Sequence, residues 1–123
     1  MRGRETQGGV EGADTPGKEW RRVPIALPSP GRTAVCEVGG ERVLLCHAEG
    51  RGFALEDRCP HQEQPLGGGR LMGFVLECPL HGGKLDVRDG RPLARPIRRA
   101  ARSFELREHE GSLWIRLPGP DDS

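Results

Sequence analysis

Twice in this sequence a run of β-forming residues drives directly into Cys-Pro: FALEDR into Cys59-Pro60, and FVLE into Cys78-Pro79. Proline fixes φ and has no backbone N–H, so it cannot carry a strand's hydrogen bonding onward. Each cysteine therefore sits where a strand becomes a loop. A histidine follows closely each time, giving Cys59-x-His61 and Cys78-x-x-His81. Two such loops from adjacent hairpins bring two sulfurs and two imidazoles to one point. That demand calls for a scaffold of short strands.

The rest of the chain agrees. Nineteen glycines and eleven prolines punctuate its 123 residues, and no run keeps a period of 3.6 for three turns without one of them. Trp20, Val23 and Ile25 predict a first strand that ends at Pro28-Ser29-Pro30-Gly31. TAVCEV and ERVLLCH around Gly39-Gly40 predict a hairpin. FALED, FVLE and KLDV read as further strands. A proline-interrupted loop to Pro96 leads to a last hairpin of SFELRE and SLWIRL. Seven to nine short strands predict an all-β barrel or sandwich of antiparallel sheets. The length suits one domain. Residues 1–18 and 118–123 are too polar and glycine-rich to offset their ordering entropy, and are expected to be a disordered tail and a flexible tail around a domain at 19–117.

A formal net charge of +1 gives no global attraction to nucleic acid or to a membrane. No stretch approaches the roughly 18 apolar residues that span a bilayer, and the first residues lack the apolar core of a secretory signal. These features predict a cytoplasmic, reduced protein, in which cysteine with nearby histidine points to metal rather than to a disulfide. Two cysteines and two histidines satisfy tetrahedral zinc. They equally satisfy a [2Fe–2S] cluster with two thiolates on one iron and two imidazoles on the other. Spacing alone leaves both open.

The surrounding residues separate them. CPH, the sixteen residues QEQPLGGGRLMGFVLE, and CPLHGGKLDVRDGRPL together resemble the Rieske ferredoxins, which carry Cys-x-His and Cys-x-x-His-Gly at this separation. Pro65-Leu66, the glycines 67–69 and the strand LDV before Asp89-Gly90 extend the likeness, and the hairpins on either side carry it from about Trp20 to Leu117. The resemblance implies a Rieske fold with a small cluster-binding lobe at about 57–85. It implies one [2Fe–2S] cluster per chain, with Cys59 and Cys78 on one iron and His61 and His81 on the other. Two ferric ions, two sulfides, two thiolates and two neutral imidazoles carry no net charge, whereas four thiolates leave the oxidised centre a dianion. The mixed ligand set therefore accepts an electron more readily.

The chain resembles the soluble ferredoxin component of bacterial aromatic-ring dioxygenase systems. That implies a monomeric one-electron carrier, not itself an enzyme, between an NAD(P)H-dependent flavoprotein reductase and a terminal Rieske oxygenase. Both partners would dock transiently near His61 and His81, with no nucleic acid and no membrane involved. The alternatives are the small subunit of a larger oxidoreductase such as a nitrite reductase, whose members often lack the ligands, and a structural zinc module. High-potential Rieske proteins carry a cysteine pair where this chain has Gln64 and Leu80. They place serine and tyrosine donors where it has Gly83 and Leu85. Fewer donors to the sulfurs imply a potential near the low end of the Rieske range, on the order of −150 mV.

Other features have plainer readings. Cys36 and Cys46, among Val, Leu and Ala, read as small buried hydrophobes, and His47 and His109 as surface residues. Glycines 67–69 lack the context of a P-loop and suit left-handed turns and close backbone approach, with their amides open to cluster sulfides as a further use. Lys84, Arg88, Arg91, Arg95, Arg98, Arg99 and Arg102 make a basic run that reads as a solvated loop, or else as a docking site for an acidic partner. Met72 and Phe74 are expected to pack inside.

Overall fold

The computed structural model describes residues 19–60, 64–79, 82–95, 97 and 99–117. Its eleven described strands are β1 Trp20–Arg22, β2 Thr33–Val38, β3 Glu41–Ala48, β4 Arg51–Glu56, β5 Arg70–Met72, β6 Val75–Glu77, β7 Lys84–Asp86, β8 Pro92–Ala94, β9 Ser103–Phe104, β10 Leu106–His109 and β11 Ser112–Arg116. They form three antiparallel sheets, ordered β1-β11-β10, β2-β3-β4-β9 and β5-β6-β7-β8. Among the described residues no helix is long and apolar enough to cross a membrane.

Strand β3 holds the layers together. Its residues alternate between two cores, as a pleated strand's must. Val43 and Leu45 join Val38, Ala54, Phe104 and Ile115 on one face. Leu44, Cys46 and Ala48 join Leu55, Leu66, Leu76 and Leu85 on the other. The middle sheet is thus covered on both sides, by the β1-β11-β10 sheet and by the β5–β8 sheet. Leu44 and Leu55 face each other in register and both are fully buried. Each contributes about 1.5–3 kcal/mol of hydrophobic stabilisation. The Gly39-Gly40 turn takes φ of +57° and +84°, the left-handed pair that a two-residue hairpin requires.

Three expectations are corrected here. The first strand stops at Arg22, before Ile25: the Val23 N–H still reaches the Leu113 carbonyl at 2.8 Å, but Pro24 has no N–H to continue. SFELRE is not one strand. Ser103 and Phe104 pair with β4 and Leu106–His109 with β11, so the chain changes sheets at Glu105. Two strands, β5 and β8, arise where a glycine-rich bridge and a proline-interrupted loop were read. Each is three residues long, and tertiary pairing rather than local preference specifies it.

Cys36 and Cys46 are buried as expected, one in each core. Burial raises both thiol pKa values, that of Cys46 to about 12. Unfolding restores the ordinary value of 9.0, so the unfolded chain releases its proton first as pH rises. The contribution of Cys46 to stability is therefore complete below 9.0 and is lost between there and about 12. We expect iodoacetamide at about pH 8 to label Cys46 only after denaturation. Equal labelling of native and unfolded protein by mass spectrometry would contradict this burial. His47 and His109 are half-buried rather than fully at the surface, and His47 Nδ1 lies 2.8 Å from the Pro28 carbonyl oxygen.

Candidate metal centre

The two motif cysteines reach their places by different routes. Cys78 lies in the loop of the β6–β7 hairpin, whose mouth is the register pair Glu77 and Lys84. Cys59 lies on a crossover that leaves β4 in the middle sheet and arrives at β5 in the lobe sheet. Two adjacent hairpins were expected, and only the second loop is one. The reason is pairing: β4 is bonded to β3 and β9, never to β5.

The closure of the two loops is nevertheless the same. The Cys59 N–H donates to the Gln64 carbonyl at 2.6 Å, and the Cys78 N–H donates to the Gly83 carbonyl at 2.7 Å. Each cysteine amide thus caps its loop against a carbonyl five residues on (59 to 64, 78 to 83). Cys59 and Cys78 are 1% and 3% exposed and share a single core with Leu66, Leu76 and Leu85. None of the four cysteines is in a disulfide. His61 and His81, read as completing the ligand set, lie outside the described residues, as does Leu80.

Asp57 is a site residue that no motif announces. Its carboxylate, with no solvent exposure, accepts the Gly67 N–H at 2.7 Å and pairs with Arg42 Nη2 at 2.9 Å. The Gly69 N–H donates to the Leu66 carbonyl at 3.0 Å. The amides of Gly67 and Gly69 are therefore used by protein acceptors, which removes these two from the amides that the run was read as offering to sulfides. Gly68, at φ +93°, fills the left-handed role foreseen for the run. Gly69 provides the close approach, since a Cβ there would overlap the Glu77 carbonyl oxygen. The bridge after the first cysteine thus lies directly against the residue before the second.

The basic run is at the surface and largely engaged. Arg88 donates to the Asp86 carboxylate at 2.7 and 3.0 Å and stacks 4.2 Å over the Phe74 ring. The Arg88 hydrogen bonds hold the Asp86 carboxyl below the usual carboxylate range. Arg99 Nη2 donates to the Pro60 carbonyl at 3.0 Å, tying this segment to the first cysteine loop. Arg98 lies outside the described residues. Phe74 packs edge-on against Phe53, as expected, but Met72 is 40% exposed rather than packed inside.

The Rieske [2Fe-2S] domain family matches residues 24–105, a span that contains both loops and all four motif residues. The chain belongs to the Rieske family. It carries a Rieske-type [2Fe–2S] cluster, and the donors described above fit one. Two buried thiols outside any disulfide, each at the mouth of a capped loop, are the soft ligands that iron–sulfur centres take. Among named relatives, the ferredoxin component of biphenyl 2,3-dioxygenase from Rhodococcus jostii (strain RHA1) is 34% identical over 91 residues, covering 74% of this chain and 85% of that protein. The ferredoxin of carbazole 1,9a-dioxygenase from Nocardioides aromaticivorans IC177 has the same architecture. The TM-score is 0.73 at 26% identity, over 79% of this chain and 98% of that one. A Rieske chain in a complex of reduced oxygenase and oxidised ferredoxin of carbazole 1,9a-dioxygenase matches at TM-score 0.72 and 30% identity, over 81% and 94% of the two chains.

Proposed function

We propose that this Rieske protein is the ferredoxin component of an aromatic-ring dioxygenase system. It takes one electron from an NAD(P)H-dependent flavoprotein reductase and passes it to a terminal Rieske oxygenase. The observation that carries the reading is the pair of identically capped Cys-Pro loops, with Cys59 and Cys78 buried in one core. The likeness to ferredoxin components over most of both chains supports the same role. In this reading Cys59 and Cys78 hold one iron, and His61 and His81 hold the other. The bound cluster supplies a reversible one-electron couple, and no bond to a substrate is made or broken.

The protein's own residues set how that couple is used. The cysteine side is sealed in the core, which keeps water from the thiolates. Gln64, Pro65 and Pro79, beside the two loops, are exposed. His61 and His81 fall by sequence within these loops, so partners would dock on a small patch flanked by Arg99, of a size that suits brief encounters. Neither Gly83 nor Leu85 has a side-chain donor for the cluster sulfurs, which favours a potential near the low end of the Rieske range, on the order of −150 mV. The protein would work in the cytoplasm as a monomer.

Iron and acid-labile sulfide analysis, with an EPR spectrum after dithionite reduction, tests the cofactor reading. We expect equal iron and sulfide and a reduced-state Rieske signal. A colourless protein holding one zinc would sink the proposal. Electron transfer reconstituted with candidate reductases and oxygenases would then identify the partners.

A further inference from the structure

We infer that Asp57 is a positioning residue for the redox centre. Its carboxylate clasps the neck of the first cysteine loop and sets the local charge that the centre experiences. The inference rests on the ferredoxin reading for its redox half, and on geometry alone for the clasp.

Four contacts converge on this one residue. One carboxylate oxygen accepts the Gly67 N–H at 2.7 Å, across the loop that contains Cys59. The other accepts Arg42 Nη2 at 2.9 Å and Nε at 3.3 Å. The Asp57 N–H donates to the Arg42 carbonyl at 2.9 Å. A buried carboxylate left unpaired costs several kcal/mol, and these contacts offset that cost. The clasp thereby joins the start of β3, the end of β4 and the glycine bridge at one point, two residues before Cys59. Space is closed as well as bonding: a Cβ on Gly67 would come within 2.7 Å of Val35 Cγ2. A side chain at Gly67 would therefore require Val35 to shift.

The charge arrangement is asymmetric. The Asp57 side chain has no solvent exposure, whereas that of Arg42 is 54% exposed. Water screens the guanidinium more than the carboxylate, so the pair leaves a residual negative charge on Asp57, two residues before Cys59. A negative charge there opposes arrival of an electron. The clasp thus holds the loop shut and lowers the potential of what the loop holds.

Three variants test this by potentiometric titration, EPR and amide hydrogen exchange. Asp57→Asn keeps an oxygen for the Gly67 N–H and removes the charge. Iron content and Gly67 protection should stay near wild type while the potential rises. Arg42→Gln removes the screening partner, and its potential should fall. Asp57→Ala breaks the clasp, and Gly67 protection should drop by about tenfold or more, the loss equivalent to one charge-assisted hydrogen bond. Potentials in Asp57→Asn and Arg42→Gln that match wild type would overturn the electrostatic role. Unchanged Gly67 exchange in Asp57→Ala would overturn the clasp; should that variant fail to fold, Asp57→Glu, whose longer side chain displaces the carboxylate from the Gly67 N–H, is measured by the same exchange, and unchanged protection there overturns it. Protein without iron or sulfide would refute the ferredoxin reading instead, and Gly67 exchange would still report on the clasp.

Discussion

Cys78→Ser is expected to purify colourless, with iron content reduced by at least about tenfold and no reduced-state EPR signal. The sulfur it removes lies in the core shared with Cys59, Leu76 and Leu85. A serine hydroxyl there is a poor ligand for iron and a poor occupant of an apolar core. The iron-free fold should also lose about 1–3 kcal/mol, because the hydroxyl is buried with little chance of a partner. Cys36→Ser is the matched control, since Cys36 belongs to the opposite core. Its EPR spectrum should be that of the wild type. Retention of the spectrum in Cys78→Ser, or its loss in Cys36→Ser, would overturn the ligand assignment.

Gly69→Ala should be among the most damaging single methyls in the lobe. The added Cβ would overlap the Glu77 carbonyl oxygen and stand 3.0 Å from that of Leu66. Both are backbone atoms within strand or turn pairing and cannot turn aside as a side chain can. Relief requires moving the glycine bridge away from β6, which separates the two cysteine loops. We expect a loss of about 2–4 kcal/mol and a large fall in cluster content. Gly68→Ala next to it meets nothing within 4 Å, and bears only the left-handed backbone at φ +93°, at about 1–2 kcal/mol. Urea denaturation of the two variants side by side checks the ranking. Equal midpoints would mean that the close approach at Gly69 has no energetic weight.

These residues show what was legible in the sequence. Cys59 and Cys78 could be placed at strand ends because proline is a local signal, and the β2–β3 hairpin because Gly39-Gly40 is one. Strands as short as β5 and β8 carry no such signal, and they exist because neighbours in the lobe sheet pair with them. The split at Glu105 was hidden for a related reason: both halves of SFELRE are good strand sequence, and only the sheets they join differ. Asp57 was invisible because its partners lie far along the chain: Arg42 is fifteen positions away, and the Gly67 amide, ten away, has no letter of its own. The basic run from Lys84 to Arg102 lies at the surface as a solvated reading expects, but its partners were not legible. Charge counts along a sequence cannot show that Arg88 is held by Asp86 and Phe74, or that Arg99 reaches across to Pro60.

The unequal origins of the two cysteine loops bear on how the site comes into being. A hairpin loop brings together residues that are near in sequence, so its closure costs little chain entropy and can occur early. The Cys78 loop is of this kind and needs only β6 and β7. The Cys59 loop closes just as locally, but it joins the middle sheet to the lobe sheet, so its placement beside the other waits on contacts distant in sequence. On this account the Cys78 half of the site is expected to be placed first, and the Cys59 half only with the docking of the two sheets.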